Sequence, residues 1–279
     1  MVAMNAKPKK IRLDDLLVER GDFPDRATAL RAVMAREVRV DDVYATSAAI
    51  KVPPTADIFI RGRKQFVSRG GKKLQGALDA FKQDVAGMNC LDIGSSTGGF
   101  TDCMLQNGAE KVYAVDVGYG QLAWKLRSDP RVVCLERTNA RYLTHEQVPD
   151  ELDFASVDVS FISLKLILPP LNGLLKDGGH AACLVKPQFE AGREKVGKKG
   201  VVRDPAVHLE VLEHFLDHAG DAGFTVLGLT YSPIRGPEGN IEYLGYLEKG
   251  PRQERTFDLK ALVDESHQTL KEHGEGGNP

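Results

Sequence analysis

Residues 90–100 read CLDIGSSTGGF, in which a short apolar strand, Cys90–Ile93, runs into a glycine-rich turn, Gly94–Gly99. The turn opens a helix, and a second apolar strand, Val112–Val115, follows and ends at Asp116. Strand, glycine turn, helix and strand in this order are typical of the first unit of an α/β domain, which binds ligands at the carboxyl ends of its strands.

The same alternation of strands and helices continues along the chain. The helix after the glycine-rich turn is expected over Phe100–Gln106. Short apolar runs predict five further strands, at Val132–Leu135, Phe154–Val157, Ala181–Val185, Thr225–Leu229 and Tyr243–Leu247. We therefore predict a doubly wound α/β sheet with a Rossmann-like arrangement, preceded by a small α+β domain.

Composition limits the class of protein. The chain has 279 residues, 42% hydrophobic and 27% charged, which suits a small domain joined to a medium one. No apolar run approaches the roughly 20 residues needed to span a bilayer, and no apolar segment follows the basic N-terminus as in a signal peptide. The four cysteines form no C-x-x-C pair, so we expect reduced thiols, no zinc site and a cytoplasmic location.

Charge is divided unevenly along the chain. Residues 1–73 contain 16 Lys and Arg against 9 Asp and Glu, a net charge of +7, and the remainder contains 21 against 30, a net charge of −9. A basic segment joined to an acidic body favours one domain that binds a polyanion and another with a different task. Ordinary fluctuation of charge along a chain is the alternative.

The basic segment has the pattern of a compact α+β module. Two helices are expected, over Arg12–Arg20 and over Arg26 to about Arg36, and Asp25 would cap the second. The apolar side of the first would be Leu13, Leu16 and Leu17, and that of the second Ala27, Leu30, Val33 and Met34. Strands are expected at Val38–Val40, Val52 and Ile58–Ile60, with a turn at Asp41-Asp42.

Basic side chains of this module and of the linker after it are candidate RNA ligands, because a guanidinium group can bind successive phosphates: Arg12, Arg26, Arg31 and Arg36 in the module, and Arg63 and Lys64 in the linker. From Leu13 to Ile60 the sequence resembles the S4 domain, a small RNA-binding module, in its R-L-D-x-L-L opening, its R-x-x-A-x-R helix and its V-x-V hairpin. Glu37 and Asp41-Asp42 depart from the Gly and Asn-Gly that S4 domains usually have there. The resemblance implies that the module binds structured RNA.

Four segments follow from these patterns. They are an S4-like domain over 1–60, a linker over 61–65, a catalytic domain over 66–250, and a C-terminal helix with a disordered tail over 251–279. The linker is assigned where the chain becomes polar and basic and contains a glycine.

The glycine-rich turn lacks the G-x-G-x-x-G pattern that lets backbone approach a pyrophosphate. S-adenosylmethionine (SAM) has no phosphate and needs a bare turn beside its tail and ribose. The predicted SAM ligands are Asp92, Gly94, Ser95, Thr97, Gly98, Gly99, Phe100, Asp116, Asn139 and Asp158. Of these, Asp116 is assigned to the ribose, Asn139 to the adenine edge and Asp92 to the amino group of the tail. An NAD site and a plain βα loop are the alternatives.

Four charged residues stand out near strand ends: Lys73, Asp158, Lys186 and Glu242. A lysine that ends an apolar strand is unusual unless a negative partner or a reaction requires it, although each residue alone could be a surface charge. Together they resemble the Lys-Asp-Lys-Glu tetrad of the FtsJ-like ribose 2′-O-methyltransferases. Lys72, the neighbour of Lys73, is the alternative for the first lysine of that tetrad. With the S4-like module, about Arg12 to Leu247 resembles the TlyA (hemolysin A) family, of which segment 186–205 is characteristic.

This resemblance implies SAM-dependent methylation of a cytidine 2′-hydroxyl in ribosomal RNA. Lys186 is expected to contact the hydroxyl, either as a base or as a positive charge that stabilises developing alkoxide, and no metal is required. The basic segment Gly192–Arg203 is either a solvated loop or an RNA contact. A membrane-active cytolysin and a non-catalytic RNA-binding assembly factor are alternatives of other classes. The target nucleotide and the oligomeric state stay open.

Overall fold

The computed structural model of the protein describes residues 10–41, 43–54, 56, 58–62, 65–251, 253 and 255–272. Contacts divide the chain into two compact units, Met1–Lys64 and Gln65–Pro279, so the division falls within the segment 61–65. Some positions named in the sequence predictions lie outside the described residues: Asp42 of the turn, Arg63 and Lys64, and the tail 273–279.

The N-terminal unit consists of β1 (Ile11–Arg12), α1 (Leu13–Glu19), α2 (Arg26–Met34), β2 (Val38–Val40), β3 (Val43–Tyr44), β4 (Lys51–Val52) and β5 (Ile58–Ile60). β2 is the central strand of an antiparallel sheet in the order β3-β2-β5, and β1 pairs with β4. Asp25 caps α2 as predicted, because its side chain accepts a 2.7 Å hydrogen bond from the Thr28 amide. Asp41, with a left-handed φ of 48°, lies directly after β2.

The apolar side predicted for α2 is wrong at three of its four positions. Leu30 and Met34 are 46% and 76% exposed, and Ala27 is exposed as well. The residues that α2 buries are Ala29, Ala32 and Val33. Such small side chains let α2 pack closely on the leucines of α1, which are buried as predicted: Leu13, Leu16 and Leu17. Periodicity alone did not separate the two neighbouring faces of this short helix.

The described residues of the C-terminal unit form seven strands: β6 (Asn89–Ile93), β7 (Lys111–Val115), β8 (Val132–Leu135), β9 (Leu152–Val157), β10 (Leu175–Val185), β11 (Phe224–Tyr231) and β12 (Tyr243–Lys249). Each strand predicted for this unit is found. Its helices are α3 (Gly70–Phe81), α4 (Gly99–Gln106), α5 (Trp124–Arg127), α6 (Leu168–Leu174), α7 (Pro187–Glu190), α8 (Pro205–Asp221) and α9 (Leu259–Glu272).

The seven strands form one sheet in the order β11-β12-β10-β9-β6-β7-β8. Strands β6 to β10 run parallel to one another, whereas β12 runs antiparallel to both β10 and β11. The order reverses between β6 and β9, and a crevice for ligands lies outside the carboxyl ends at such a point. Because β12 is antiparallel, its first residue lies at this same edge, where Tyr243 pairs with Val185.

Helices cover both faces of the sheet. α3 and α4 contribute Leu74 and Met104 to the core on one face, and α6 and α8 contribute Leu171 and Phe215 to the core on the other. Successive strand residues alternate between the two cores, as a sheet covered on both faces requires. The predicted doubly wound α/β fold is thereby confirmed. Within the described residues, no helix combines the length and the apolar character that a membrane crossing requires.

Candidate active site

A cavity of about 1030 Å³ lies at the carboxyl edge of the sheet, over the crevice between β6 and β9. Its wall combines the glycine-rich turn, the residues that follow β9 and β10, and parts of the segments 68–73, 193–200 and 234–242, the last of which precedes β12. Pockets for one drug-sized ligand reach about 1,000 Å³ at most, so this cavity has room for a cofactor and part of a second ligand.

The four charged residues predicted near strand ends all line this cavity, where they form two pairs. Lys73 Nζ donates to Glu242 Oε2 at 2.5 Å, and the two residues are 7% and 1% exposed. Lys186 Nζ forms an ion pair with Asp158 and donates to Ser160 Oγ at 3.2 Å. Each lysine therefore has a carboxylate of its own.

The topology of the sheet explains this convergence. Asp158 directly follows β9, Lys186 directly follows β10, and Glu242 directly precedes the antiparallel β12. All three positions therefore lie at one edge of the sheet. Lys73 comes from α3 and is buried, whereas its competitor Lys72 is exposed and does not line the cavity.

The glycine-rich turn presents bare backbone to the cavity. Gly94 has a φ of 85°, and a Cβ on it would lie 2.3 Å from the carbonyl oxygen of Asp158. Only glycine therefore lets the ends of β6 and β9 approach this closely. Ser96 also adopts a left-handed φ, of 47°. Of the predicted SAM ligands, those that line the cavity are Gly94, Ser95, Thr97, Gly99, Phe100 and Asp158.

Four predicted SAM ligands do not line the cavity: Asp92, Gly98, Asp116 and Asn139. Asp92 is completely buried and accepts hydrogen bonds from the Thr101 amide at 2.8 Å, the Thr101 hydroxyl at 2.6 Å and Ser156 Oγ at 3.2 Å. Burial raises the pKa of Asp92 to about 7. Asp92 thus anchors the start of α4 from within the protein, and its assignment to the amino group of SAM has no support in this geometry.

Asp116 and Asn139 bind backbone instead. The Asp116 carboxylate accepts from the Ser96 amide at 2.8 Å and from the Gly118 amide at 2.6 Å, so it holds the glycine-rich turn in place. Lone pairs remain on these oxygens for a ribose hydroxyl, and that assignment stays a prediction. Asn139 is exposed, and its side chain accepts from the Arg141 amide at 3.1 Å, capping the turn at Ala140–Tyr142.

Sequence reasoning missed an aromatic pair at the cavity. Phe161 is 90% exposed, with a left-handed φ of 63°, and its ring centroid lies 4.9 Å from that of Phe189. The carboxylate of Glu190 holds the two segments together, because it accepts from Ser163 Oγ at 2.7 Å and from the Leu164 amide at 2.8 Å. Burial raises the pKa of Glu190. The available signal was a phenylalanine shortly after each of two strands, in V-S-F and K-P-Q-F.

The predicted RNA-binding arginines of the N-terminal unit differ in their surroundings. The Arg12 guanidinium pairs with Asp14 at 2.6 Å, and that of Arg26 pairs with Asp15. Arg31 and Arg36 are exposed, and among the described residues the side chain of Arg31 donates to Thr28 Oγ1, at 2.9 Å. Arg31 and Arg36 are therefore the better placed of the four to meet a phosphate.

Comparison with known proteins identifies the C-terminal unit. Residues 66–249 match the family model of the FtsJ-like methyltransferases. The chain belongs to the FtsJ-like methyltransferase family. This methyltransferase is 51% identical over 271 residues to YqxC of Bacillus subtilis, a candidate rRNA methyltransferase, covering 95% of this chain and 96% of the relative.

Two further relatives extend the likeness over both units. TlyA of Mycobacterium tuberculosis, named a 16S/23S rRNA (cytidine-2′-O)-methyltransferase, is 43% identical over 266 residues, which cover 95% of this chain and 98% of the relative. A solved structure of a candidate hemolysin from Streptococcus thermophilus is 47% identical, with a TM-score of 0.74 over 97% of this methyltransferase and 100% of that chain. The resemblance to the TlyA and hemolysin A proteins is thereby confirmed.

Proposed function

We propose that this methyltransferase transfers a methyl group from SAM to a cytidine 2′-hydroxyl of ribosomal RNA. The observation that carries the proposal is the presence of two lysine–carboxylate pairs, Lys73–Glu242 and Lys186–Asp158, in one cavity beside a glycine-rich turn. The name of the M. tuberculosis relative, a 16S/23S rRNA (cytidine-2′-O)-methyltransferase, supports the choice of substrate.

The cavity fits SAM better than a dinucleotide. The turn offers bare backbone at Gly94 and Gly99, and its Ser96 amide is already bound to the Asp116 carboxylate, which would repel a pyrophosphate. The residues that would hold SAM are Gly94, Ser95, Thr97, Gly99, Phe100 and Asp116. When bound, SAM supplies an electrophilic methyl group.

Lys186 would act on the nucleophile. A ribose hydroxyl is a weak nucleophile, and negative charge would develop on its oxygen as its proton passes to solvent water. That oxygen would form a bond to the methyl carbon while the bond between this carbon and the sulfur of SAM breaks. The contact between Lys186 and Asp158 suits a charged ammonium, so we assign Lys186 as a fixed positive charge that stabilises this oxygen. Asp158 and Ser160 orient the ammonium, and the Lys73–Glu242 pair lines the same cavity.

The aromatic pair supports an RNA substrate. Ribose chemistry in structured RNA requires access to the target nucleotide, and an unstacked base is commonly held on an aromatic side chain. Phe161 stands exposed at the cavity that contains Lys186, with Phe189 against it. We assign Phe161 as the surface on which the base of the target nucleotide stacks.

The test is the reaction itself, with full-length protein, SAM and ribosomal RNA from a strain that lacks this enzyme. We expect Lys186→Ala to lower the rate of methyl transfer by about 10²–10³, because one preorganised charge is lost in the transition state. Lys176→Ala is the matched control. Lys176 is also on β10, but it is exposed and paired with Asp153, so the rate should be unchanged.

The position of the methyl group decides the reaction class. A methylated 2′-oxygen cannot attack the adjacent phosphodiester, so the product should resist alkaline hydrolysis at that nucleotide. Mass spectrometry of the digested RNA should place the methyl on ribose. A methyl group on a base would show instead that the enzyme is an RNA base methyltransferase on the same fold.

A further inference from the structure

A basic segment, residues 196–203, forms part of the rim of the catalytic cavity, and we call it the lysine rim. Val196, Gly197 and Gly200 line the cavity. Lys198 and Lys199 are exposed, and neither makes an ion pair with a described residue. The segment therefore presents two uncompensated positive charges beside the reaction site.

The backbone of the lysine rim is held in an unusual conformation. Lys199 has a left-handed φ of 69°, and Gly200 follows with a φ of 72°. For a lysine this conformation costs roughly 1–2 kcal/mol, so it persists only where the surroundings impose it. Two backbone hydrogen bonds of 3.1 Å close the turn, from the Gly200 amide to the Gly197 carbonyl and from the Gly197 amide to the Val201 carbonyl.

The buried side chain of Asn240 binds the backbone of the lysine rim. It is 2% exposed; its Oδ1 accepts from the Val202 amide at 3.0 Å, and its Nδ2 donates to the Gly200 carbonyl at 2.9 Å. The two polar atoms of the Asn240 side chain thus bind the backbone of Gly200 and of Val202, the residues on either side of Val201. Asn240 stands two residues before Glu242, so one short stretch of chain carries both the catalytic carboxylate and the anchor of the rim.

His208 on α8 completes the anchor. The ring is fully buried, and its Nε2 lies 3.1 Å from the Val202 carbonyl, which can only accept, so Nε2 carries the proton. Nδ1 is then an acceptor, and the Tyr243 hydroxyl lies 2.8 Å from it. The amide and the carbonyl of Val202 are therefore each bound by a buried side chain.

We propose that Asn240 and His208 are positioning residues that hold the lysine rim in place, so that Lys198 and Lys199 bind RNA phosphates next to the methylated nucleotide. The inference rests on the proposed function. Neither Asn240 nor His208 needs to touch RNA. A rim that is already ordered loses little conformational entropy on binding, whereas a loose loop would lose that entropy when RNA orders it.

The test measures the KM for ribosomal RNA, taken from a strain that lacks this enzyme, as a function of salt. Lys198→Ala/Lys199→Ala should raise KM about tenfold and lower the salt slope by roughly 1.4–1.8, the contribution of two phosphate contacts. Asn240→Ala removes no charge, yet it should raise KM and lower the slope in the same direction. Combined with the lysine changes it should add nothing further, because no charge is left to position.

Asn172→Ala is the matched control, since Asn172 Nδ2 also donates to a backbone carbonyl, that of Gly223 at 3.0 Å, and Asn172 does not line the cavity. It should leave KM and the salt slope unchanged. SAM calorimetry checks the fold of each variant. Should Asn240→Ala not fold, Asn240→Ser replaces it, because its short hydroxyl side chain adds no charge and cannot keep both hydrogen bonds, from the Val202 amide and to the Gly200 carbonyl.

The outcomes separate the two proposals. If the wild-type protein places no methyl group on ribose, the proposed function fails and the inference fails with it. If ribose is methylated but Asn240→Ala leaves KM and the salt slope at wild-type values, the positioning role is overturned while the function stands. An unchanged KM for the double lysine variant would overturn phosphate binding by the lysine rim.

Discussion

At the scale of single residues, the two lysine–carboxylate pairs explain how four charged side chains are tolerated at the edge of an apolar sheet. Lys73 and Lys186 are only 7% and 8% exposed, and a buried ammonium without a partner is strongly destabilising. Glu242 and Asp158 offset that cost and fix the direction of each ammonium. Loss of either carboxylate should therefore harm both the fold and the reaction.

His208 gives the fold a measurable pH dependence. Burial lowers its pKa to about 4, against an ordinary value of 6.5. Between these two values the ring is neutral in the folded protein and protonated in the unfolded chain, so the unfolded state binds more protons and stability falls as the pH falls. We expect this group to lower the free energy of unfolding by up to about 3 kcal/mol between pH 7 and pH 4.

His208→Gln isolates this contribution, because glutamine can still donate to the Val202 carbonyl but does not titrate. In scanning calorimetry, the stability advantage of the wild type over the variant should shrink as the pH falls from 7 to 4. Asp92 acts in the opposite sense, since burial raises its pKa to about 7, but it is present in both proteins and cancels. A difference independent of pH would contradict the assignment.

At the scale of elements, α3 and α4 meet where a side chain cannot fit. A Cβ on Gly99 would lie 2.2 Å from Ser68 Oγ and 2.9 Å from the Gly71 amide nitrogen. Gly99→Ala should therefore force the two helices apart and lower the free energy of unfolding by about 1–3 kcal/mol. Thermal unfolding measures the effect.

Gly173→Ala is the control for this substitution. Gly173 lies in α6, and an added Cβ would meet nothing within 4 Å. Alanine stabilises a helix relative to glycine, so we expect a gain of about 0.5–1 kcal/mol. Equal unfolding temperatures for Gly99→Ala and the wild type would show that α3 can shift without loss.

α2 is the element of the N-terminal unit expected to bind RNA. Arg31 and Arg36 are exposed on it or directly after it. Arg31→Glu/Arg36→Glu should weaken RNA binding at least tenfold and lower its salt slope by roughly 1.4–1.8, because phosphate contacts release counterions. Lys260→Glu, on the exposed face of α9, should change neither quantity. Filter binding over a salt series measures both, and unaltered slopes would locate the RNA contacts elsewhere.

At the scale of the whole molecule, the chain divides into a unit with the cavity and a unit with the basic helix α2. We expect a chain of residues 65–279 to retain SAM binding by calorimetry and to lose most of its affinity for ribosomal RNA. The reason is that every cavity residue lies in the second unit, whereas the net positive charge lies in the first part of the chain. Equal RNA affinity for the full and the shortened chains would refute this division of labour.

The fold and most of the candidate site could be predicted from local patterns. Apolar runs of a few residues predicted the strands of the large sheet, and the glycine-rich turn predicted the edge at which a ligand binds. The carboxyl ends of parallel strands meet at one edge of such a sheet, so the positions of Asp158 and Lys186 along the chain were enough to group them. Glu242 reaches that edge only because β12 is antiparallel. By itself the sequence determined that Asp158 and Lys186 share one edge of the sheet.

Only the tertiary structure decided how those residues are paired and which way they face. Lys73 and Glu242 are 169 positions apart, and their contact depends on how α3 packs against the sheet. Asp92 follows the strand pattern of a cavity residue, yet it turns inward because Thr101 and Ser156 offer it hydrogen bonds there. The hydrogen bonds of Asn240 likewise depend on a segment distant in the sequence, residues 200–202, which only the fold brings next to it. Periodicity records which face of an element is apolar, whereas the partner of a polar group is chosen by competition among groups that only packing brings together.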